Sequence, residues 1–408
     1  MNYNDAFQKL EKYGQTHLLR DFEALTAAEQ NALLSQIENL DFDSVLYYDK
    51  PAFTDPNASF EPLPALTLDE IEKNYEKYEE AGLKAIREGK TGAVLLAGGQ
   101  GTRLGSPHAK GMFDIGVTKP LFIFECLLNN LKKVCEKAGV SIPLYVMTSD
   151  LNHDETVAFF KEHDYFGYDP SYLTFFVQDM APCTDFNGKV LLNAKDRIAT
   201  SPNGNGGWFH SMKKKGLLED LHRRGVEYLS AFGVDNVLQV INNPAFVGAT
   251  VLSGCDVSTM VVPKANPHEK VGVVCRKNGR PSIVEYYEMT DEMIHARDEK
   301  GVLSYNYGVI LNYIFKVSKL EEVTKTLLTP HLVKKAIPFI DENGVLQSPT
   351  EPNGYKYELL ILDLVEMMSD CLPYEVIREK TFAPVKNKTG ADSVETAREY
   401  LRLSGVEL

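Results

Sequence analysis

The stretch Ala93-Val94-Leu95-Leu96-Ala97-Gly98-Gly99-Gln100-Gly101-Thr102-Arg103-Leu104-Gly105 begins as a strand and ends as a loop. Its opening residues form a short apolar run, as a parallel strand buried on both faces requires. Four glycines then fall within eight residues. Glycine has no Cβ, so this backbone can approach a ligand closely and aim its N–H groups at phosphate oxygens. Arg103 and the downstream Lys110 add positive charge over the same loop. Glycines alone would suit an ordinary turn; with two cations attached, phosphate binding is the better reading. The loop is not a Walker A motif, because no Gly-Lys-Ser/Thr follows. Nor does it fit G-x-G-x-x-G, since counting from Gly99 and Gly101 puts Leu104 in the third slot.

Working outward, Leu144-Tyr145-Val146-Met147, Phe175-Phe176-Val177 and Glu227-Tyr228-Leu229-Ser230-Ala231-Phe232 read as further strands. Helical patterns over Leu121 to Ala138 and Met212 to Arg224 alternate with them. Strands alternating with helices imply an α/β domain with a largely parallel sheet. Val271 to Cys275 and Ile283 to Tyr286, joined through Asn278-Gly279, read as an antiparallel hairpin added to that sheet. Upstream, Thr26-Ala27-Ala28-Glu29 and Thr67-Leu68-Asp69-Glu70 are capping boxes. The first opens a helix with Leu33, Leu34, Ile37 and Leu40 on one face, and the second a charged helix ending at Gly89. Pro51, Pro56, Pro62 and Pro64 between them suggest an extended linker. The expected organisation is a helical region over 1–88, a main domain over 89–373, and a short C-terminal segment over 374–408 holding one strand and one helix.

Composition excludes several classes. Hydrophobic residues make up 44% and charged residues 25% of the 408 residues, an ordinary globular balance. No run of about 18 apolar residues occurs, so no membrane-spanning helix is expected. The N-terminus lacks a basic stretch followed by an apolar one, and the expected location is the cytoplasm. The six cysteines are scattered, without C-x-x-C or metal-ligand spacing. A net charge of −14 argues against a broad surface for nucleic acid or anionic membrane. It leaves room for a nucleotide pocket, which needs only local cations and backbone N–H groups.

Leu96-Ala97-Gly98-Gly99-Gln100-Gly101-Thr102-Arg103-Leu104-Gly105 is followed by Lys110-Gly111-Met112-Phe113-Asp114-Ile115-Gly116. Together they resemble the signature loop of the eukaryotic-type UDP-N-acetylglucosamine pyrophosphorylases, within the wider UDP-sugar pyrophosphorylase family. The resemblance runs from Gly14-Gln15-Thr16-His17-Leu18-Leu19-Arg20 to Phe382-Ala383-Pro384-Val385-Lys386-Asn387 and Thr396-Ala397-Arg398, nearly the whole chain. It implies a Rossmann-like nucleotidyltransferase domain acting on UTP and a sugar 1-phosphate, most closely N-acetylglucosamine 1-phosphate, with release of pyrophosphate.

The resemblance also assigns roles. Leu96, Ala97, Gly98 and Gly99 correspond to backbone that cradles the nucleotide. Lys110 corresponds to the lysine on the transferring phosphates and Arg103 to the cation on the leaving pyrophosphate. Gln178 matches a glutamine that reads the uracil edge; without the resemblance it would be a solvated residue after a strand. Gly204, in Pro202-Asn203-Gly204-Asn205-Gly206-Gly207, matches a glycine packed on uracil, and Asn205 one that reaches the sugar. Asp235 matches the metal and ribose-region aspartate. Its place at a strand's C-terminal end is also where ligands bind in open α/β sheets. Glu285 and Tyr286, in Val284-Glu285-Tyr286, match sugar contacts, and Lys386 a lysine on the sugar-nucleotide phosphates.

Two departures stand out. Relatives carry G-N-I-x-N where this chain has Gly308-Val309-Ile310-Leu311-Asn312, so Val309 replaces a polar sugar contact. Eukaryotic relatives also continue beyond the point matching Leu408.

The implied reaction is in-line attack by the sugar 1-phosphate on the α-phosphorus of UTP, which depends on positioning and electrostatics rather than a protein nucleophile. Mg²⁺ is the expected cofactor, held by one or two carboxylates, Asp235 foremost, together with substrate phosphates. Glucose 1-phosphate remains an alternative substrate, and a silent UDP-sugar sensor an alternative from another class. A nicotinamide oxidoreductase would want an acidic residue ending a second strand about 20 positions beyond the loop. Glu125 is near that distance but lies in a helical pattern.

Overall fold

A computed structural model describes residues 1–48, 58–326 and 328–408. Pro51 and Pro56 of the expected linker lie outside the described residues. The chain forms two compact units, each assembled from three segments. One comprises Met1–Asn57, Gln178–Trp208 and Leu327–Asp363; the other comprises Ala58–Val177, Phe209–Thr326 and Leu364–Leu408.

The larger unit is built on a ten-stranded sheet. Its strands are β1 (Phe60–Pro62), β2 (Thr91–Leu96), β3 (Leu144–Thr148), β4 (Leu173–Val177) and β5 (Tyr228–Gly233). They continue with β6 (Val257–Pro263), β7 (Val273–Lys277), β8 (Arg280–Val284), β9 (Tyr307–Lys316) and β10 (Cys371–Glu375). The order is β1-β7-β9-β5-β2-β3-β4, with β8 beside β7 and β6 bridging β9 to β10. Strands β4, β3, β2 and β5 are mutually parallel. Strand β9 then runs antiparallel to β5, in the register Phe232↔Asn312. The α/β reading with a parallel sheet holds in the half that carries the glycine loop.

The hairpin reading holds too. Lys277 pairs with Arg280, and the two residues between them, Asn278 and Gly279, both have positive φ. That is the type I′ geometry for which Asn-Gly is suited.

Burial follows sequence pattern. All six residues of β2 are buried, as expected of a strand covered on both faces. Helix Ile123–Ala138 covers it through Phe124, Leu127, Leu128 and Leu131, which join Leu95, Val146 and Phe232 in one core. Both capping boxes form, at Thr26 with Glu29 and at Thr67 with Glu70.

Four expectations need correction. The pattern from Met212 to Arg224 is two helices, Trp208–Lys214 and Leu217–Arg224, separated at Gly216, whose φ of 73° no continuing helix adopts. The helix opened by Thr67 is interrupted at Asn74, giving Leu68–Lys73 and Tyr75–Arg87. Pro62, assigned to a linker, ends β1 and faces Cys275 at the sheet's edge, where a missing N–H is tolerated. After β10 the chain holds two helices, Arg378–Thr381 and Val394–Leu403, one more than expected.

In the smaller unit, helices Tyr3–Lys12 and Ala27–Asn39 share a core with Val190, Leu192, Ile198 and Ile340. Strands His331–Lys335 and Gly354–Glu358 pair antiparallel beside Thr184–Asp185.

Candidate functional site

The chain moves from β2 outward to β3 and β4, then returns to place β5 on the other side of β2. Between β2 and β5 the strand order reverses, and beyond the C-terminal ends of strands at such a reversal open α/β sheets have their ligand crevice. Both candidate loops leave from there: Gly233, last in β5, pairs with Leu96, last in β2.

The glycine loop closes on itself. Gln100 and Ala109 form an antiparallel bridge. Gly101 N donates to the His108 carbonyl at 2.8 Å, and Lys110 N to the Gly99 carbonyl at 3.1 Å. Gly99 is exposed and faces open space, while Leu96 and Ala97 at the loop's root are buried.

This closure carries Lys110 back over the crevice, where its Nζ lies 3.9 Å from Asp235 Oδ2. Both side chains are largely buried, at 17% and 23% exposure. Burial pushes the Lys110 ammonium below the ordinary lysine value; Asp235 opposes that shift, while Lys386 and Arg103 reinforce it. Lys110 thus feels one carboxylate and two like charges, a balance that a bound polyphosphate would relieve.

Lys386 comes from far along the chain, and backbone pairing brings it here. Val385 N donates to the Asp235 carbonyl at 2.8 Å, and Asn236 bridges Pro384. The buried Asn236 side chain completes the junction, accepting from Ala383 N at 2.9 Å and donating to the Thr381 carbonyl at 2.8 Å. Lys386 Nζ itself lies 3.2 Å from Asp392.

Glu285 and Tyr286 directly follow β8. Glu285 is half-buried, whereas Tyr286 is exposed. Val309 is half-buried in β9, and its N–H donates to the Gly272 carbonyl at 2.9 Å.

Gln178, Gly204 and Asn205 belong to the other unit. Gln178 is buried, at 6% exposure, rather than solvated. Gly204 has φ 88° and ψ 172°, open to glycine alone, and a Cβ there would run into the Leu359 carbonyl. Asn205 Oδ1 accepts from Ile361 N at 3.0 Å, so its oxygen is engaged at the start of helix Ile361–Glu366. His331 Nε2 meets Asp363 at 3.0 Å in the same unit, and Asp363 accepts from Leu360 N at 3.0 Å.

Several site neighbours escape sequence reasoning. Asn236 follows Asp235 directly, and its role shows only in the return of segment 381–385. Lys388 reaches the loop, its Nζ 2.6 Å from where a Cβ on Gly105 would stand. Leu311 adopts φ 53° at an irregularity in β9, and its side chain lies against Gly233 beside Asp235. Nothing in its sequence context signals that conformation. Arg398, in Thr396-Ala397-Arg398, holds the carbonyls of Ile115 and Gly116, each at 2.9 Å.

Known proteins resemble this chain along most of its length. Residues 57–396 match the family model described as UTP–glucose-1-phosphate uridylyltransferase. The human UDP-N-acetylhexosamine pyrophosphorylase-like protein 1 is 36% identical, covering 97% of this chain and 83% of its own. The Saccharomyces cerevisiae UDP-N-acetylglucosamine pyrophosphorylase is 34% identical over 98% of this chain and 90% of its own. The crystal structure of uridine diphosphate N-acetylglucosamine pyrophosphorylase from Trypanosoma brucei superposes with a TM-score of 0.81, at 28% identity, over 98% of this chain and 84% of that one. With its crevice, its glycine loop and these relatives, the chain belongs to the UTP–glucose-1-phosphate uridylyltransferase family.

Proposed function

We propose that this protein is a uridylyltransferase that joins UTP to N-acetylglucosamine 1-phosphate, releasing pyrophosphate. The observation that carries the reading is the largely buried Lys110–Asp235 pair at the strand-order reversal, flanked by the glycine loop, Arg103 and Lys386. The pyrophosphorylase names of the relatives favour the acetamido sugar over glucose 1-phosphate.

In this reading the backbone from Leu96 to Gly99 receives the nucleotide. Lys110 neutralises charge on the α-phosphate as the sugar phosphate attacks in line, and Arg103 meets the departing pyrophosphate. Lys386 holds the sugar-side phosphate against repulsion from UTP. Such transfers gain rate mainly from preorganised charge and positioning. Gln178 and Gly204 serve the uracil, and Asn205, Glu285 and Tyr286 the sugar.

Among the described residues no group of three or more His, Cys, Asp or Glu could hold a metal ion. Asp235 is a lone carboxylate, which fits Mg²⁺, an ion that takes one or two carboxylates and completes its shell with phosphates and water. Bound there, Mg²⁺ would supply charge neutralisation on the phosphates. The six cysteines are all unpaired, which supports a reducing compartment such as the cytoplasm.

The test is pyrophosphate release from UTP, Mg²⁺ and a panel of sugar 1-phosphates. N-acetylglucosamine 1-phosphate is expected to turn over, and EDTA to stop it. A preference for glucose 1-phosphate beyond about tenfold in kcat/KM, ~1.4 kcal/mol, overturns the sugar assignment alone. No turnover with any sugar overturns the enzyme assignment in favour of a silent UDP-sugar binder.

A further inference from the structure

We propose that the start of helix His153–Glu162 positions the phosphate loop, with Glu155 and Asn152 as positioning residues for Lys110. The inference rests on the reading of Lys110 as the lysine of the transferring phosphates.

The loop's internal hydrogen bonds fix Lys110 relative to Gly99 and Gly101, but not the loop relative to the sheet. Two side chains three residues apart in sequence supply that second constraint. At the loop's root, Asn152 Nδ2 donates to the Ala97 carbonyl at 3.1 Å. Asn152 is fully buried, and its Oδ1 accepts from Ser149 N at 2.8 Å and Ser149 Oγ at 3.1 Å, which fixes the orientation of the amide. At the loop's end, Glu155 Oε1 accepts from Ala109 N at 2.8 Å, while Oε2 lies 3.1 Å from His108 Nδ1. Ala109 is fully buried and immediately precedes Lys110. Its N–H has no other acceptor among the hydrogen bonds of the described residues, so losing Glu155 would strand a buried donor. Both ends of the loop are therefore tied to one short stretch of chain.

The identity of the second group is informative. A carboxylate beside a phosphate-binding loop opposes the binding of anions. Glu155 is useful there as an acceptor, not as a charge. Glutamine keeps the acceptor and drops the charge; alanine drops both.

Three proteins therefore separate the possibilities: wild type, Glu155→Gln and Glu155→Ala, each compared for thermal stability. Hydrogen–deuterium exchange of the 97–112 segment is read first, without substrate. The Ala109 and Lys110 amides should exchange at least about tenfold faster in Glu155→Ala, as an opened local contact requires, and remain near wild type in Glu155→Gln. In turnover, Glu155→Ala should lose about ten- to a hundredfold in kcat with the sugar-phosphate KM unchanged, the scale on which a displaced catalytic group loses rate. Glu155→Gln should restore kcat to within about threefold, its lost charge leaving the UTP KM equal or lower. Unchanged exchange in Glu155→Ala overturns the positioning role whatever the activity. Equal loss in both variants also overturns it, assigning the effect to charge. An inactive wild type with the expected exchange pattern retains the clamp and removes the uridylyltransferase reading.

Discussion

Lys110 and Asp235 stand 3.9 Å apart with most of their surface withdrawn from water, yet the surroundings disfavour the lysine's charge. A simple stabilising ion pair would show the reverse balance, with attraction outweighing burial and like-charge repulsion. The arrangement makes sense if an anion completes it. Lys110→Ala is therefore expected to lower kcat on the order of a hundredfold, as removal of a preorganised charge stabiliser does. Steady-state kinetics in both substrates are the check, and a rise in KM with kcat intact would make Lys110 a binding residue only. At this scale the sequence is legible where chemistry is local. The glycine loop, Arg103 and Lys110 lie within a few residues and announce themselves. Lys386 was legible only through resemblance, because an isolated lysine looks like surface charge until segment 381–385 pairs beside Asp235. Glu155 and Asn152 gave no signal, since their partners are backbone groups 46 and 55 residues away.

Helices Tyr75–Arg87 and Pro244–Ser253 meet glycine to glycine. A methyl group on Gly82 would strike the Pro244 carbonyl, and one on Gly248 the Tyr78 carbonyl. Each glycine admits the other helix's backbone. In an open helix Gly→Ala stabilises by up to about 1 kcal/mol; here the sign should reverse. Gly248→Ala is expected to cost about 1–3 kcal/mol through overpacking, since a carbonyl cannot rotate away like a side chain. Urea unfolding measures it, and a gain in stability would refute the close crossing. Elements with local signatures were legible: the capping boxes at Thr26 and Thr67, the Asn278-Gly279 turn and the all-apolar β2. The breaks at Asn74 and Gly216 are not legible in the pattern, even though Gly216 is a glycine. Periodicity continues across such a residue, and only its backbone angle shows that the helix stops.

Over the whole molecule, a chain of net charge −14 brings Arg103 and Lys386 close enough to Lys110 to act on its charge, with Asp235 beside Lys110 and Asp392 beside Lys386. The discontinuity of both units is the other large-scale fact. The N-terminal helices contribute Leu33, Leu34 and Ile37 to a core completed by Val190, Leu192, Ile198 and Ile340. Removing residues 1–48 should uncover those apolar side chains, so the shortened protein is expected to bind ANS and to aggregate. A soluble product with no added dye binding would show that the N-terminal helices are dispensable to that core. Pattern reading could place these helices but not assign them to segments more than 140 residues away, because no periodicity encodes which apolar faces meet. The same discontinuity bears on how the chain folds. Strands β2 and β5 are neighbours, but residues 97–227 separate them, and 178–208 of that stretch belong to the other unit. Closing so long a loop forfeits chain entropy before the pairing gives anything back, which slows folding. This junction is accordingly expected to form late in folding, and recovery of substrate binding after dilution from denaturant should lag behind recovery of helical signal.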